Sequence, residues 1–487
     1  MPGPNAAAFL RRHWLFSLAL VAAAIPRAVA MLAYQPVILF RMDSYDYLWG
    51  AVHLGPDTVN PSGYSLLLWL LRPLHSLTAI VALQHLMGLA IAAMVYAVLW
   101  RRGLPAWGAT LAAAPALFLP ALMLLESLIM ADVLAMLLMV AALAVLLLRD
   151  SPSPRRSAAA GLLMGASTIV RPTTLPLIIA IPVFLLLART GWRRAGAALA
   201  AGALPVLAYM GWFAGVHGSF NMTQSNGLFL WSRTMSFANC AVIKPPPDLR
   251  QLCPAAQHGF LAQAVPAKRP PPKWYLWMPG LSWPWWHTAP PGTVADKIPF
   301  TAANNARALR FAVRAITAQP LAYAGTVGRE TLEPFTRNDA TLHFPGSQQP
   351  YVLDRPHLRY ALAAVRGYTG TSRGIAATVR AGYHFTTQLH QPYASLLRRY
   401  QQVIFLPGLG LTLITLIGAA GLVIPRRRSA AAALLLASAA IVIVLPIAVH
   451  EYAYRYAIPA VPLLAMAAAL AFRNPNRHPP AASRPPS

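Results

Sequence analysis

The segment Ile80–Leu99, with the sequence IVALQHLMGLAIAAMVYAVL, contains no Asp, Glu, Lys or Arg, and Arg101-Arg102 follows it closely. About 20 predominantly apolar residues are what an α-helix needs to cross the hydrocarbon core of a bilayer. Similar runs occupy Trp14–Leu32, Val133–Leu148 and Ile404–Ile424. Because their hydrophobicity is continuous and not alternating, they predict membrane-spanning helices and exclude a transmembrane barrel.

The composition agrees with a membrane protein. Of the 487 residues, 57% are hydrophobic and 11% are charged, against about 25% charged in a typical soluble domain. The formal net charge of +27 could indicate nucleic acid, but the basic residues stand between the apolar runs, as the positive-inside rule requires. These clusters are Arg101-Arg102, Arg155-Arg156, Arg193-Arg194 and Arg426-Arg427-Arg428. We therefore predict membrane lipid as their partner, and no nucleic acid.

Placing the Arg-rich connections in the cytoplasm predicts an all-α polytopic membrane protein of about ten transmembrane helices, with both termini inside. The predicted spans are 14–34, 77–99, 104–123, 129–148, 157–171, 173–189, 196–216, 403–424, 429–449 and 457–472. The short turns at 124–128 and 450–456 then lie on the opposite face. The predicted localisation is the cell (inner or plasma) membrane, with the functional face extracytoplasmic.

Four regions follow from this topology. They are an N-terminal transmembrane core (10–216) with a first outer loop (35–76), a large extracytoplasmic loop domain (217–402), the C-terminal transmembrane helices (403–472) and a Pro-rich tail (473–487). The composition of the tail predicts disorder. Inside the loop domain, 305–327 predicts a helix broken near Pro320.

Two features leave alternatives open. Cys240 and Cys253 could form a disulfide if the loop domain is exported, or remain free thiols. The first apolar run ends in Ala28-Val29-Ala30 and could be a cleavable signal peptide, although we expect it to be retained.

The acidic residues are few and unevenly placed. Six of the thirteen lie in the short outer loops or at the outer ends of helices, namely Asp43, Asp46, Asp57, Glu126, Asp132 and Glu451. A carboxylate near hydrocarbon is costly unless it is paired or faces a wet cavity, and is therefore a candidate for function. Arg27, Arg41, Arg171 and Arg455 lie on the same predicted face. Any one pair could be a structural salt bridge, but the set as a whole predicts a cavity that binds a phosphate-bearing ligand.

Asp43, Tyr47, Leu48 and Ala51 form a D-x-x-x-Y-L-x-x-A segment, and Pro61, Tyr64 and Leu67 form a Pro-x-x-Tyr-x-x-Leu stretch after it. Both resemble the first outer loop of GT-C membrane glycosyltransferases that use polyprenyl-phosphate sugars. Glu126–Asp132 resembles the acidic segment before the fourth helix, and Gly161, Gly165 and Arg171-Pro172 resemble a G-x-x-x-G…R-P pattern. Glu451 with Arg455-Tyr456, Pro459 and Pro462 is similar to a late E-x-R-Y-x-x-P-x-x-P motif, with a longer spacing after the acid.

The resemblance implies a mechanism of inverting sugar transfer. An acceptor hydroxyl attacks the anomeric carbon and the lipid phosphate leaves, with Asp43 as general base and Asp46 as the alternate. Arg455, Arg171 and Arg27 would stabilise the leaving phosphate, while Glu126, Asp132 and Glu451 would orient these arginines or hold sugar hydroxyls. Tyr47, Tyr64 and Tyr456 complete the implied substrate-binding set.

The implied donor is a polyprenyl-phosphate-linked sugar, and the acceptor is an envelope glycan, lipid or protein. The relatives suggested are protein mannosyltransferases, aminoarabinose transferases and arabinosyltransferases. Paired carboxylates beside a phosphate would suit Mg²⁺ or Mn²⁺, but the sequence has no D-x-D motif, and we predict no metal. The main rival is a transporter or flippase for a lipid-linked precursor, which predicts charges near the bilayer midplane and internal repeats.

Overall fold

The computed structural model describes residues 4–149, 151–257, 259–263, 265–277, 300–337, 344, 388–424 and 429–473. The predicted tail, apart from Arg473, lies outside these residues. Within them the chain is helical except for turns and one antiparallel pair of two-residue strands, β1 (Tyr34–Gln35) and β2 (Gln388–Leu389). The predicted fold class, an all-α polytopic membrane protein, is confirmed.

The helices up to residue 217 form the first part of the bundle. They are α1 (Pro4–Ala33), α2 (Arg41–Val52), α3 (Gly63–Leu71), α4 (Leu77–Arg101), α5 (Ala106–Phe118), α6 (Pro120–Ser127), α7 (Asp132–Leu147), α8 (Pro154–Val170), α9 (Leu177–Leu187) and α10 (Trp192–His217). Short 3-10 helices follow α3 at Arg72–Leu74 and α8 at Pro172–Thr174.

The later helices include those of the long segment 217–402. They are α11 (Asn226–Thr234), α12 (Cys240–Ile243), α13 (Pro272–Trp277), α14 (Ala302–Ala318), α15 (Pro320–Thr336), α16 (Tyr393–Val403), α17 (Gly408–Val423), α18 (Ala430–Val449) and α19 (Val461–Leu470). The 3-10 helices Tyr454–Tyr456 and Ile458–Ala460 lie between α18 and α19. The predicted break near Pro320 is confirmed, because α15 begins at that residue.

Length and composition support membrane crossing to different degrees along the chain. In the described part, four helices are long and apolar enough to cross alone: α1 from Arg11 onward, α4, α10 and α18. The bent pairs α5 with α6 (49°) and α16 with α17 (53°) pass the same criterion when each is taken as one span. Helix α7 and the stretches Pro172–Leu187 and Tyr454–Leu470 are apolar but shorter. Every predicted span coincides with one of these elements or, for 157–171, with α8.

Two predicted spans are interrupted at proline residues. The span 104–123 breaks at Leu119, and Pro120 starts α6, since proline is tolerated in the first turn of a helix but not in its interior. Helix α6 then continues to Ser127, so that Glu126 lies on a buried helix and not in an outer turn at 124–128. The span 403–424 likewise begins late, because Pro407 caps α17 at Gly408.

One end of the bundle, which we call the rim, gathers the segments that carry the predicted site. The carbonyl of Ala33 at the end of α1 accepts a hydrogen bond from the His390 amide (2.9 Å), and Ile38 pairs with Leu128. Tyr209, in the second half of α10, accepts a hydrogen bond from the amide of Ser62 (3.1 Å). The first outer loop, the start of α7 and the end of α10 therefore meet at the rim.

Helices α8 and α10 pack backbone to backbone. A Cβ atom at Gly161 would overlap the carbonyl oxygen of Ala198, and one at Gly165 would overlap that of Gly202. Small residues allow this close approach between membrane helices. The G-x-x-x-G pattern is thus explained by helix packing, and α8 ends at the rim with Arg171 as its C-cap.

The described part of the long segment has a core of its own around α11, α13 and α14, with Trp231, Tyr275 and Phe311 fully buried. Cys240 and Cys253 form a disulfide in this region, which settles the alternative between a bridge and free thiols. The domain boundaries at 217 and 402 stay predictions.

Candidate active site at the rim

The first ion pair at the rim joins two distant parts of the chain. Asp43 lies in the first turn of α2, where the helix dipole favours a carboxylate. Its Oδ2 atom accepts a hydrogen bond from Nη1 of Arg455 (3.1 Å), which the 3-10 helix Tyr454–Tyr456 presents. The side chains are 33% and 17% exposed, respectively. Both charged groups can therefore be reached by a ligand. Asp46, the alternate base, lies one turn further along α2 and is also partly exposed.

A second ion pair stands beside the first. Asp132, the first residue of α7, is buried and contacts the guanidinium group of Arg171. The ring of Tyr456 lies next to both arginines, with ring-centroid distances of 5.1 Å to Arg171 and 5.3 Å to Arg455. Arg455 also stands over the ring of Phe40 (4.7 Å). We call Asp43, Asp132, Arg171, Arg455 and Tyr456 the rim cluster.

Tyr47 and Tyr64 lie under this cluster and do not line it. Burial raises the pKa of Tyr47, Asp43 and Asp132 raise it further, and Arg171 and Arg455 lower it, so the phenol is neutral and within reach of all four charges. Its ring contacts that of Tyr64 edge-on (5.0 Å). The Tyr64 hydroxyl donates to Gln84 Oε1 (2.6 Å). Since both rings are buried, we reassign them from binding substrate to supporting α2.

A cavity opens beside Arg171 and Tyr456. Asp132 and Thr173 add polar groups to its lining, and the lining side chains further along α7 and α18 are apolar. The lining residues are Asp132, Ala135, Met136, Met139, Arg171, Thr173, Thr174, Val442, Pro446, Tyr456 and Pro459. The distance along α7 from Asp132 to Met139 is about 10 Å at 1.5 Å per residue. The cavity thus combines one cation, Arg171, with an apolar wall formed by residues of α7 and α18.

Two predicted site residues, Arg27 and Glu126, form a separate buried cluster. Arg27 donates to both carboxylate oxygens of Glu126 (2.8 and 2.9 Å) and to the carbonyls of Ala23 (2.9 Å), Leu117 (2.7 Å) and Ala116 (3.2 Å). These contacts use all five guanidinium donors. His85 Nδ1 also lies 2.8 Å from Glu126 Oε2.

The buried cluster has a structural explanation. The break between α5 and α6 frees backbone carbonyls, and in a membrane such groups must be satisfied internally. Arg27 caps two of them, and Glu126 balances its charge. Both side chains are at most 3% exposed, so neither is available to a substrate. The predicted substrate-binding role of Arg27 and Glu126 is therefore replaced by a structural one.

Glu451 points toward the long segment. Its Oε2 accepts a hydrogen bond from the Lys273 amide (3.2 Å), and its Oε1 lies 3.6 Å from the Lys273 ammonium group. Burial raises its pKa, Lys273 lowers it and Glu330 raises it. The structure thus pairs Glu451 with α13, whereas the sequence had placed it beside the rim arginines.

Sequence reasoning missed one ion pair near the rim. Arg233 of α11 is fully buried and forms a two-pronged pair with Glu330 of α15, with distances of 2.8 to 2.9 Å. The scarcity of acidic residues was the only available signal, since Glu330 is one of thirteen.

No protein-family profile and no curated protein match this chain. Among solved structures, it is similar to an oligosaccharyltransferase of Archaeoglobus fulgidus that was crystallised with a tethered acceptor peptide. The sequences are 15% identical, the TM-score is 0.38, and the match covers 95% of this chain and 50% of that one. The chain therefore spans about half the length of that protein, and a likeness of this size does not assign it to a family. The class defined by its own fold and site is an all-α membrane protein with paired charges at one end of its helices.

Proposed function

We propose that this chain is a GT-C type inverting glycosyltransferase that moves a sugar from a polyprenyl-phosphate carrier to an acceptor hydroxyl. The observation that carries the proposal is the rim cluster, where the partly exposed pair of Asp43 and Arg455 lies beside Tyr456, and Tyr456 and Arg171 line an apolar cavity. A lipid phosphate requires this combination, because its head needs guanidinium donors and its chain needs an apolar wall.

The donor phosphate would bind between Arg171 and Arg455, the two arginines that contact the ring of Tyr456. Both arginine side chains are 17% exposed, whereas that of Arg27 is 3% exposed. The isoprenoid chain would enter along Met136 and Met139 of α7 and Val442 of α18, and the cavity between them would have to widen, since it has room for about one water molecule. Flexible methionine side chains adapt well to an irregular apolar ligand.

Asp43 is the proposed general base. In the free protein its Oδ2 is tied to Arg455, and a bound phosphate would compete for the same guanidinium group. Donor binding would thereby release the carboxylate to take the proton from the acceptor hydroxyl. The hydroxyl oxygen then bonds to the anomeric carbon, the bond from that carbon to the phosphate oxygen breaks, and Arg171 and Arg455 stabilise the departing phosphate.

The proposed site faces the extracytoplasmic side of the cell membrane. Arg-rich connections assigned to the cytoplasm leave the rim on that side. The Cys240–Cys253 disulfide supports the assignment, because such bonds persist in oxidising compartments. The acceptor would be an envelope glycan, a lipid or a protein.

We propose a mechanism without a metal. The charge of the leaving phosphate would be met by Arg171 and Arg455, which can perform that role without a metal.

The test is transfer of radiolabelled sugar from polyprenyl-phosphate donors to membrane acceptors by the purified protein, comparing wild type with Asp43→Asn. We expect a loss of about 10²- to 10⁴-fold, the usual contribution of a positioned base. Asp57→Asn is the matched control, because Asp57 caps the amides of Val59 and Asn60 (2.6 and 3.0 Å) in the same loop and asparagine keeps that acceptor.

Equal activity of wild type and Asp43→Asn would exclude Asp43 as the base and leave Asp46 as the candidate. Absence of transfer from every donor, together with movement of a lipid-linked precursor across the membrane, would replace the enzyme by a flippase.

A further inference from the structure

The turn that carries Arg455 is held by the long segment 217–402. This turn follows α18, and its residues His450, Glu451 and Tyr452 are separated from the 3-10 helix of Arg455 only by Ala453. The long segment supplies a partner to each of these three residues in succession. Since Arg455 lies three residues beyond Tyr452, these contacts hold the backbone from which its side chain extends.

His450 is bound through its backbone and its side chain. Its carbonyl accepts a hydrogen bond from Nη1 of Arg233 (3.3 Å), and its Nδ1 is hydrogen-bonded to Oγ of Ser232 (2.9 Å). Both partners belong to α11, and both are fully buried.

Tyr452 and Glu451 are held by two other helices of the segment. The amide of Tyr452 donates to Oε2 of Glu330 (2.9 Å), the same oxygen that accepts from Arg233 (2.8 Å). Glu451 is paired with Lys273 of α13. Arg233 and Glu330 thus neutralise each other and, at the same time, each bind one residue of the turn.

We propose that Arg233 and Glu330 are positioning residues for Arg455, so that docking of the long segment on the turn sets the affinity for the donor phosphate. The inference rests on the proposed function, because it assigns Arg455 to the donor phosphate. A buried ion pair needs further hydrogen bonds for its remaining donors and acceptors, and here His450 and Tyr452 of the turn that leads to Arg455 provide them. A buried pair is itself weak support for stability, because desolvation offsets much of the attraction between its charges.

Glu330→Ala and Glu330→Gln separate the role of Glu330 as counter-charge of Arg233 from its role as hydrogen-bond acceptor for the Tyr452 amide. Alanine removes both the charge and the acceptor for the Tyr452 amide, whereas glutamine removes the charge and keeps an acceptor oxygen. We expect both variants to unfold at lower temperature than wild type, because Arg233 is left without a counter-charge. The KM for the donor should rise about tenfold in Glu330→Ala, as for loss of one well-placed interaction, and clearly less in Glu330→Gln, with kcat changing little in either.

Glu333→Ala is the matched control. Glu333 lies on the same helix and pairs with Arg337 (3.3 Å), one turn further along the helix. Its KM for the donor should equal that of wild type. A donor KM that is unchanged in Glu330→Ala, or equally raised in both Glu330 variants, would overturn the positioning role.

Hydrogen exchange of residues 449–456 gives a readout that does not depend on activity. Glu330→Ala should speed exchange at the Tyr452 amide about tenfold or more, and Glu333→Ala should leave it as in wild type. Unchanged exchange in Glu330→Ala overturns the inference. Faster exchange in a protein that transfers no sugar from any donor would confirm the anchoring of the turn but refute the proposed function, and with it the role of Arg455.

Discussion

The rim cluster and the buried cluster of Arg27, Glu126 and His85 contain the same kinds of side chain and differ in what surrounds them. At the rim, Arg455 donates a hydrogen bond to one carboxylate oxygen of Asp43, and both side chains keep exposed surface. In the buried cluster, all donors of Arg27 are used inside the protein. The two clusters therefore differ in exposure and unused bonding capacity rather than in charge, and this difference distinguishes the proposed binding site from the structural support.

Arg27→Met should have the largest effect on stability. It leaves the carboxylate of Glu126 buried without its main partner and two carbonyls uncapped, at a cost of about 3 to 5 kcal/mol. Unfolding in graded detergent should show this loss. The protein that remains folded should keep its donor KM. A raised donor KM would place Arg27 in the binding site and remove the contrast between the clusters.

Arg455→Gln should affect activity more than stability, in contrast to Arg27→Met. We expect a loss of about 10²- to 10³-fold in kcat/KM, as when a donor to developing charge is removed. The unfolding midpoint should fall less than in Arg27→Met, because the Arg455 and Asp43 side chains keep 17% and 33% of their surface exposed. Steady-state transfer assays with thermal unfolding of the same preparation check both parts, and a variant that unfolds early yet turns over normally would reverse the assignment.

Gly88→Ala probes the space around Glu126. A Cβ at residue 88 would overlap the Glu126 carboxylate, so the ion pair must shift, at a cost of about 1 to 3 kcal/mol. Gly196→Ala on α10 is the control, because its Cβ would meet no atom within 4 Å. The expected result is a lower unfolding midpoint for the first variant and an equal or slightly higher one for the second. Equal midpoints would show that the buried cluster has room to adjust.

The stability of the folded protein should depend on pH through His450, which lies in the turn before Arg455. Burial, followed by the charges of Arg233, Lys273 and Arg455, lowers its pKa from 6.5 to about 3. The unfolded chain binds a proton in this range and the folded chain does not. Stability is therefore complete above pH 6.5 and falls on acidification, by up to about 1.4 kcal/mol per pH unit.

The measurement is the unfolding midpoint of wild type and His450→Gln between pH 7 and 4.5. The raised pKa of Glu451 acts in the opposite direction, since protonation favours its folded form, but it is common to both proteins. The difference between them should grow in favour of the variant as pH falls. Parallel curves would show that His450 is not buried in its neutral form.

The sequence predicted the positions of the apolar helices well, because a helix that crosses the hydrocarbon core needs about 20 predominantly apolar residues. Local chemistry explains the misplaced boundaries. Pro120 starts a new helix and extends it past Glu126, which the sequence had left in an outer turn. Pro407 delays α17 in the same way.

The candidate site was predicted only in part. Asp43, Asp132, Arg171, Arg455 and Tyr456 come together as expected. The sequence could not show that Glu126 would turn to Arg27 and Glu451 to Lys273, because charge scarcity indicates that partners exist and not which ones. The pair of Arg233 and Glu330 depends on contacts across 97 positions of the chain, for which a single sequence carries no signal.

The close contact of α8 with α10 has a consequence for how Arg171 and Arg455 would bind a ligand. Arg171 terminates a helix that is locked to its neighbour through Gly161 and Gly165, whereas Arg455 stands on a short turn held by side chains. The position of Arg171 is set by backbone packing, whereas the position of Arg455 depends on side-chain contacts that substitutions can change. Replacement of the surroundings of Arg455 should therefore be the more promising way to retune the protein for a different sugar carrier.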